Sequence, residues 1–288
     1  MSFKWSIPAL MVARTALPIT YLLDTYTGAQ VAYSLRKLKT GITNCIRVRR
    51  SSDDAEQDIG FVAGILDASS LTTFVGSNDG FIIKWYDQSG NGLDATQSTL
   101  TVQPQIVSSG TIITSNGKYA AQFDGGDYLG TPSSANYTAV GGEWSAFGVC
   151  KFDDGAARLL WDSDDNGTPK RLAQFLRNGG SSAVQSIAFD NAGNPFTDSA
   201  GDPSTNQVLL FAIRTATTIE IYLNDTSDGS TGTTGTPATF TTVANIGSFN
   251  SGTSNFMKGY VQELIHYGST ADYRVGASIN INNYYAIY

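Results

Sequence analysis

The sequence predicts a turn-rich all-β protein with a short C-terminal helix and an irregular N-terminal arm. Three observations carry that prediction. Charged residues make up only 15% of the 288, and polarity comes instead from Ser, Thr, Asn and 30 Gly. An average soluble protein is roughly 25% charged, so this is the mixture of a turn-rich β chain. Trp144–Phe152 and Gln207–Leu223 carry the residue pattern of half-buried strands, the second as two strands around a Thr-rich turn. The chain also closes on a period-two run, Tyr260–Tyr267, followed by a polar loop and a helix-like segment. Alternation places Val261, Glu263, Ile265 and Tyr267 on one face of that strand, and Gln262, Leu264 and His266 on the other. Val275, Ile279, Ile281, Tyr284 and Tyr285 are expected to pack the terminal helix across the sheet.

Residues 1–24 form the arm. Pro8 and Pro18 break it, and Trp5, Ile7, Leu10, Met11 and Val12 would be costly to leave in water. It reads either as an attachment segment, with Trp5 and Leu10 docking on a partner, or as a loose N-terminus packed on its own domain. Residues 25–288 show no internal repeat and no linker, so a single domain is expected. Arg36, Lys37, Lys39, Arg47, Arg49 and Arg50 are chased at once by Asp53, Asp54, Glu56 and Asp58. Internal ion pairing is the plain reading of that tract, and partner docking through Arg47 and Arg49 the sharper one. The net charge of −7 argues against a nucleic-acid footprint. Cys45 and Cys150 read as free buried thiols. The N-terminus has no unbroken signal-peptide core, and the chain has no stretch long enough to span a membrane. Synthesis and folding in a cytoplasm, without membrane insertion, are therefore expected.

Several strings resemble known families. Gly259–Tyr267, with the helix-like segment after it, resembles the closing strand and helix of the concanavalin A-like lectin/glucanase superfamily, which implies a concanavalin A-like jelly-roll β-sandwich. Phe123-Asp-Gly-Gly-Asp-Tyr-Leu129 resembles a hairpin that recurs in laminin-G-like sandwiches. The tract Ala32–Gln97, with AYSLRKL, IRVRRSSDDAEQDIGF and FIIKWYDQSGNGLDATQ in order, resembles the catalytic domain of the α-L-arabinofuranosidase B family and its relatives in tailed-phage proteins. The WYDQSGNG string reads as a hydrogen-bonded turn: Asp87, Ser89 and Asn91 can bond local backbone, and Gly90 and Gly92 can take positive φ.

The arabinofuranosidase resemblance implies a retaining glycosidase, which needs two carboxyl groups about 5–5.5 Å apart. It places Asp190, in Ile187–Asn191, at the nucleophile position, with Ala188 where the family has a second aspartate. Phe249 falls at the acid position, and Arg158–Trp161 lacks the family's cysteine pair. A phenyl ring cannot transfer a proton, so the protein is expected not to be an enzyme. Asp162, Asp164 and Asn166 open like a calcium loop, but its twelfth position is Ala173 and the bidentate carboxylate is missing. No metal and no cofactor are expected. The lone His266 has no second histidine or cysteine near it in sequence. The candidate ligand-binding residues are Asp162, Asp164, Asn166, Asp190 and Asn191.

These readings converge on a non-enzymatic structural or display protein of a tailed-phage virion: capsid decoration, head fibre or tail-associated module. The expected partners are capsid or tail proteins of the same virion. Weak binding of host-surface glycans and a homo-oligomeric state are both compatible with the sequence. The alternatives are a carbohydrate-binding module and a glycoside hydrolase resembling the arabinofuranosidase family.

Overall fold

The structure is a computed structural model. It describes residues 20–133, 143–164, 171–177, 184–187, 196–199, 201, 203, 205–232, 243–249, 252–268 and 273–288. Its strands pair antiparallel in two layers. In hydrogen-bonded order the first sheet runs Glu56–Val62, Asn44–Arg50, Gly80–Trp85, Ala95–Thr96, Leu129–Ser133, Val243–Ile246, Arg158–Asp164, Arg171–Arg177, Val184–Ile187 and Phe196–Asp198. The second centres on the closing strand Lys258–Tyr267. Ala29–Ser34 and Ala121–Asp124 pair end to end along one edge of it. Trp144–Phe152 pairs with the other edge, and Gln207–Arg214, Thr218–Leu223 and Thr226–Gly232 follow. Gln105–Ser108 joins the layers by pairing with a strand of each. The all-β sandwich with a C-terminal helix is therefore observed.

Trp85, Phe123, Leu129, Phe152, Ile246 and Val261 fill the space between the sheets. The second sheet is buried on its outer side too. There Phe147, Phe211, Ile265 and Tyr267 lie beneath Leu22, Leu23 and the terminal helix Arg274–Tyr285. A sheet covered on both faces needs apolar residues at successive positions, and Trp144–Phe152 is buried at all but one. Leu22 and Leu23 sit within the segment expected as an arm, yet they pack on this outer cluster. Residues 1–19, with Trp5 and Leu10, lie outside the described residues.

Two expectations are corrected. The closing strand does not alternate throughout: its register against Trp144–Phe152 slips between Val149 and Cys150, which face Glu263 and Val261, so Gln262 is an extra residue in a β-bulge. Val261 therefore faces the inter-sheet core, while Ile265 and Tyr267 face the helix. Gln262 holds the bulge by donating from Nε2 to the carbonyls of Ser115, Lys118 and Tyr119 at 3.1–3.2 Å. The terminal helix buries Ala277, Ser278, Ile281 and Tyr285, and Val275 and Ile279 are exposed. Small residues let the helix lie close to the sheet, and the stripe falls on them.

Candidate functional site

The WYDQSGNG string folds into the expected turn and acts as a clamp. Asp87 accepts from the backbone N–H of Ala32, Ser89 and Leu93 and from the Ser89 hydroxyl. Gln88 donates to the carbonyls of Ser34 and Arg36, and its Oε1 accepts from the Leu38 N–H. Gly90 and Gly92 take φ of 95° and 73°. This fastens the edge strand Ala29–Ser34. The basic tract is likewise consumed internally: Arg47 pairs with Glu56 and Asp58, Arg49 with Asp54, and Arg50 with Asp53. Arg49 is buried, donates to Gln103 Oε1 and stacks its guanidinium over Phe81.

A groove opens on the outer face of the first sheet. Lys84, Thr96, Gly130 and Asn245 stand side by side across four strands, and Asp162 continues the row at backbone level. Ala244 and Ile246 belong to the core, so pleating turns Asn245 outward. Gly130 adds no side chain, leaving a low floor. The segment Gln97–Gln103 and Tyr128 form the walls, and Arg49 and Glu56 close one end. The groove encloses about 460 Å³, within the ~300–1,000 Å³ range of small-ligand sites.

Its walls are held by amides. Gln97 donates to the Tyr128 carbonyl and accepts from the Thr99 N–H, and Gln103 donates to the Gln97 carbonyl. Asn245 differs: it is 1% exposed, and neither Nδ2 nor Oδ1 has a partner among the described residues. Leaving such a group unmatched costs about 1–3 kcal/mol per group, and native proteins keep few of them. The two charged residues among the described lining, Arg49 and Glu56, are each in an ion pair, so the described lining presents neutral donors and acceptors around one unsatisfied amide. That is the chemistry of a hydroxylated, uncharged ligand.

Of the expected ligand residues, Asp162 and Asp164 lie on Arg158–Asp164, with Asp162 opposite Asn245. Asn166, Asp190 and Asn191 lie outside the described residues. Phe249 ends the turn after Val243–Ile246, where its N–H donates to the Ser254 carbonyl at 3.0 Å. The turn depends on Gly247, at φ 90°, since a Cβ there would sit 2.6 Å from the Phe123 ring. Sequence reasoning missed Gln97, Gln103, Tyr128 and Asn245 as a group. The one local signal was an amide set between Ala244 and Ile246 in an otherwise apolar strand.

Two further buried titratable groups are His266 and Asp127. His266 is stacked between Trp144 and Trp161, with centroids 6.2 and 6.5 Å away, and burial pushes its pKa down to about 3. Asp127 accepts from the Asp124 N–H in the connection between Ala121–Asp124 and Leu129–Ser133, which pair in different sheets and do not form the expected hairpin. Burial first, and the neighbouring Asp124 charge after it, push its pKa up to about 7.

No family model matches the chain, and no curated protein matches it in sequence. Solved structures do match the fold. One is a point variant of a glycoside hydrolase family 54 α-L-arabinofuranosidase soaked with 4-nitrophenyl α-L-arabinofuranoside, at TM-score 0.66 and 19% identity, covering 90% of this chain. An arabinofuranosidase complexed with arabinofuranosyl-α-1,2-xylobiose matches with the same values. The fold is arabinofuranosidase-like. The chain spans 64% of the length of those arabinofuranosidase chains. Domain 4 of AbnA, an extracellular family 43 arabinanase from Geobacillus stearothermophilus in complex with arabinotriose, matches at TM-score 0.50 and 14% identity, over 67% of this chain and 91% of that domain.

These matches correct the expected function. The reading as a non-enzymatic virion protein is overturned, because the arabinofuranosidase-like fold is shared with glycoside hydrolases and the phage connection finds no support among them. The expectation that the chain is not an enzyme falls with it. That expectation rests on Phe249 at the acid position, in a half of the chain that the resemblance aligns only loosely. Among the described residues no helix is long and apolar enough to cross a membrane.

Proposed function

We propose that the chain is a glycoside-hydrolase-like protein whose groove takes a neutral sugar of the arabinofuranoside type. The observation that carries this reading is the unsatisfied Asn245 amide in a sugar-sized groove, on a fold otherwise matched by arabinofuranosidases over 90% of this chain. Vicinal hydroxyls offer a donor and an acceptor at the spacing of one carboxamide, so one sugar edge satisfies both Nδ2 and Oδ1. Tyr128 supplies an apolar flank for the C–H face of the ring. For hydrolysis, Asp190 takes the nucleophile role that the family resemblance gives it. The leaving-group proton then comes from a group other than Phe249.

Calorimetric titration with arabinotriose tests the groove. The wild type is expected to bind, and Asn245→Ala to bind at least about tenfold more weakly, or about 1.4 kcal/mol. An isotherm unchanged in both affinity and number of sites would overturn the assignment of the groove.

A further inference from the structure

The opposite face of the sandwich holds a second cavity, of about 570 Å³, lined among others by Ser115, Lys151, Gln207 and Tyr260. Gln207, Lys151 and Tyr260 are register partners across three strands of the second sheet. Their neighbours Val208, Cys150 and Val261 face the inter-sheet core, so this row faces outward. Ser115 overhangs it from a hairpin whose turn residues, Asn116 and Gly117, have φ of 49° and 71°, the pattern of a type I′ turn. Asn116 ties that hairpin to the C-terminus by donating to the carbonyls of Tyr285 and Ala286.

The hydrogen-bond network decides which atoms are left over. Gln262 Nε2 donates to three backbone carbonyls, so its Oε1 is fixed as an acceptor. Gln207 meets that Oε1 with its own Nε2. The Gln207 amide is therefore oriented by a partner that cannot flip, and its Oε1 remains buried without a donor among the described residues. Ser115 is 6% exposed, and its Oγ also has no partner among the described residues. Lys151 lies 5.4 Å from the Tyr260 ring centroid and forms no ion pair among the described residues.

This set selects a ligand class. A buried carbonyl oxygen demands a donor, so the oxygens of a phosphate or carboxylate are repelled there. An apolar ligand would leave both oxygens unpaired, and a cation would meet Lys151. A neutral ligand with several hydroxyls satisfies all three groups, giving protons to Gln207 Oε1 and Ser115 Oγ and accepting one from Lys151 Nζ. We propose that this cavity is a second saccharide site, separate from the groove and on the other side of the sandwich. A protein with sugar sites on both faces can hold one part of a polysaccharide while another part lies in the groove. The proposal stands on the chemistry of this cavity and does not need the groove reading.

The test is calorimetric titration of the full chain with arabinotriose and xylobiose, using Asn245→Ala, Ser115→Ala/Gln207→Met and the combined variant. The expected result is saccharide binding that persists in Asn245→Ala and weakens at least about tenfold when Ser115→Ala/Gln207→Met is added. Ser115→Ala alone removes an unpaired hydroxyl, so its thermal midpoint should hold or rise; a binding loss in that variant is then not a folding defect. If Ser115→Ala/Gln207→Met binds as the wild type does, in either background, the second site is overturned. If Asn245→Ala is unaffected while Ser115→Ala/Gln207→Met loses all binding, the groove reading fails and this one stands. Absence of binding by the wild type at millimolar sugar overturns both.

Discussion

Arg36 and Glu263 form a bidentate ion pair inside the protein, with Nε–Oε2 at 2.7 Å and Nη2–Oε1 at 2.9 Å. Glu263 comes from the closing strand and is fully buried, and Arg36 follows the first strand of the second sheet and is 8% exposed. Ser34 and Tyr285 add hydroxyl donors to the same Oε2, and Arg36 also donates to Asn280 of the terminal helix. Burial works against the guanidinium charge, but Glu263 outweighs it and raises the Arg36 pKa above its ordinary value. One carboxylate thus joins the first strand, the last strand and the helix.

Breaking one side of this pair leaves the other charge stranded, which costs about 3–5 kcal/mol. Glu263→Leu and Arg36→Met should each lower stability by that amount in urea unfolding. The double substitution, leaving no unpaired charge, should recover most of the loss. Single variants within 1 kcal/mol of the wild type, on the order of a surface pair, would show that the pair is dispensable.

Asp87 accepts four hydrogen bonds that the Trp85–Gly92 turn cannot replace. Asp87→Ala strands the buried N–H groups of Ala32 and Leu93, at about 1–3 kcal/mol each. A loss of roughly 3 kcal/mol or more is expected, with faster hydrogen exchange at Ala32 and its strand. Unchanged exchange there would mean that the clamp does not hold the edge strand.

Asp127 and His266 oppose each other in acid. The folded-state pKa of Asp127 is raised to about 7. The folded protein therefore binds more protons than the unfolded chain between about pH 4 and 7, and this group stabilises as pH falls through that window. The folded-state pKa of His266 is lowered to about 3. The unfolded chain binds more protons between about pH 6.5 and 3, so this group destabilises as pH falls. The two contributions, each up to roughly 1.4 kcal/mol per pH unit, partly cancel between pH 4 and 6.5. Asp127→Asn should unmask a steep loss of stability in acid, and His266→Phe should be more stable at pH 5 than at pH 7. Parallel stability profiles for all three proteins from pH 4 to 7 would contradict this balance.

Individual strands, the charged hairpin and the turn at Asp87 are legible in the sequence because each rests on neighbours a few residues apart, whereas the clamp's bonds from that turn to Ala32, Ser34, Arg36 and Leu38 span 50–55 residues and are not. The Asp53–Asp58 tract follows its arginines and pairs with them, and the turn at Asp87 satisfies its own backbone. The bulge at Gln262 is not legible, since its reason is three carbonyls at positions 115–119. Nor is the burial of Ala277 and Ser278 in place of Val275 and Ile279, which depends on how closely the helix must approach the sheet. The groove assembles positions from 49 to 245 through strand register, which no local pattern contains. The glycosidase resemblance was legible at Ala32–Gln97. The expectation of lost activity rests on departures outside that tract, Phe249 at the acid position, Asp190 in place of a glutamate and no cysteine pair, in a half of the chain that the resemblance aligns only loosely.

The most direct measurement is the rate at which purified full-length chain releases 4-nitrophenol from 4-nitrophenyl α-L-arabinofuranoside, compared with Asp190→Asn. Saturable release that falls at least about a hundredfold in the variant, as expected for loss of a nucleophilic carboxylate, is the predicted result. Equal rates in the two proteins, both at the level of buffer, would contradict the glycoside-hydrolase reading.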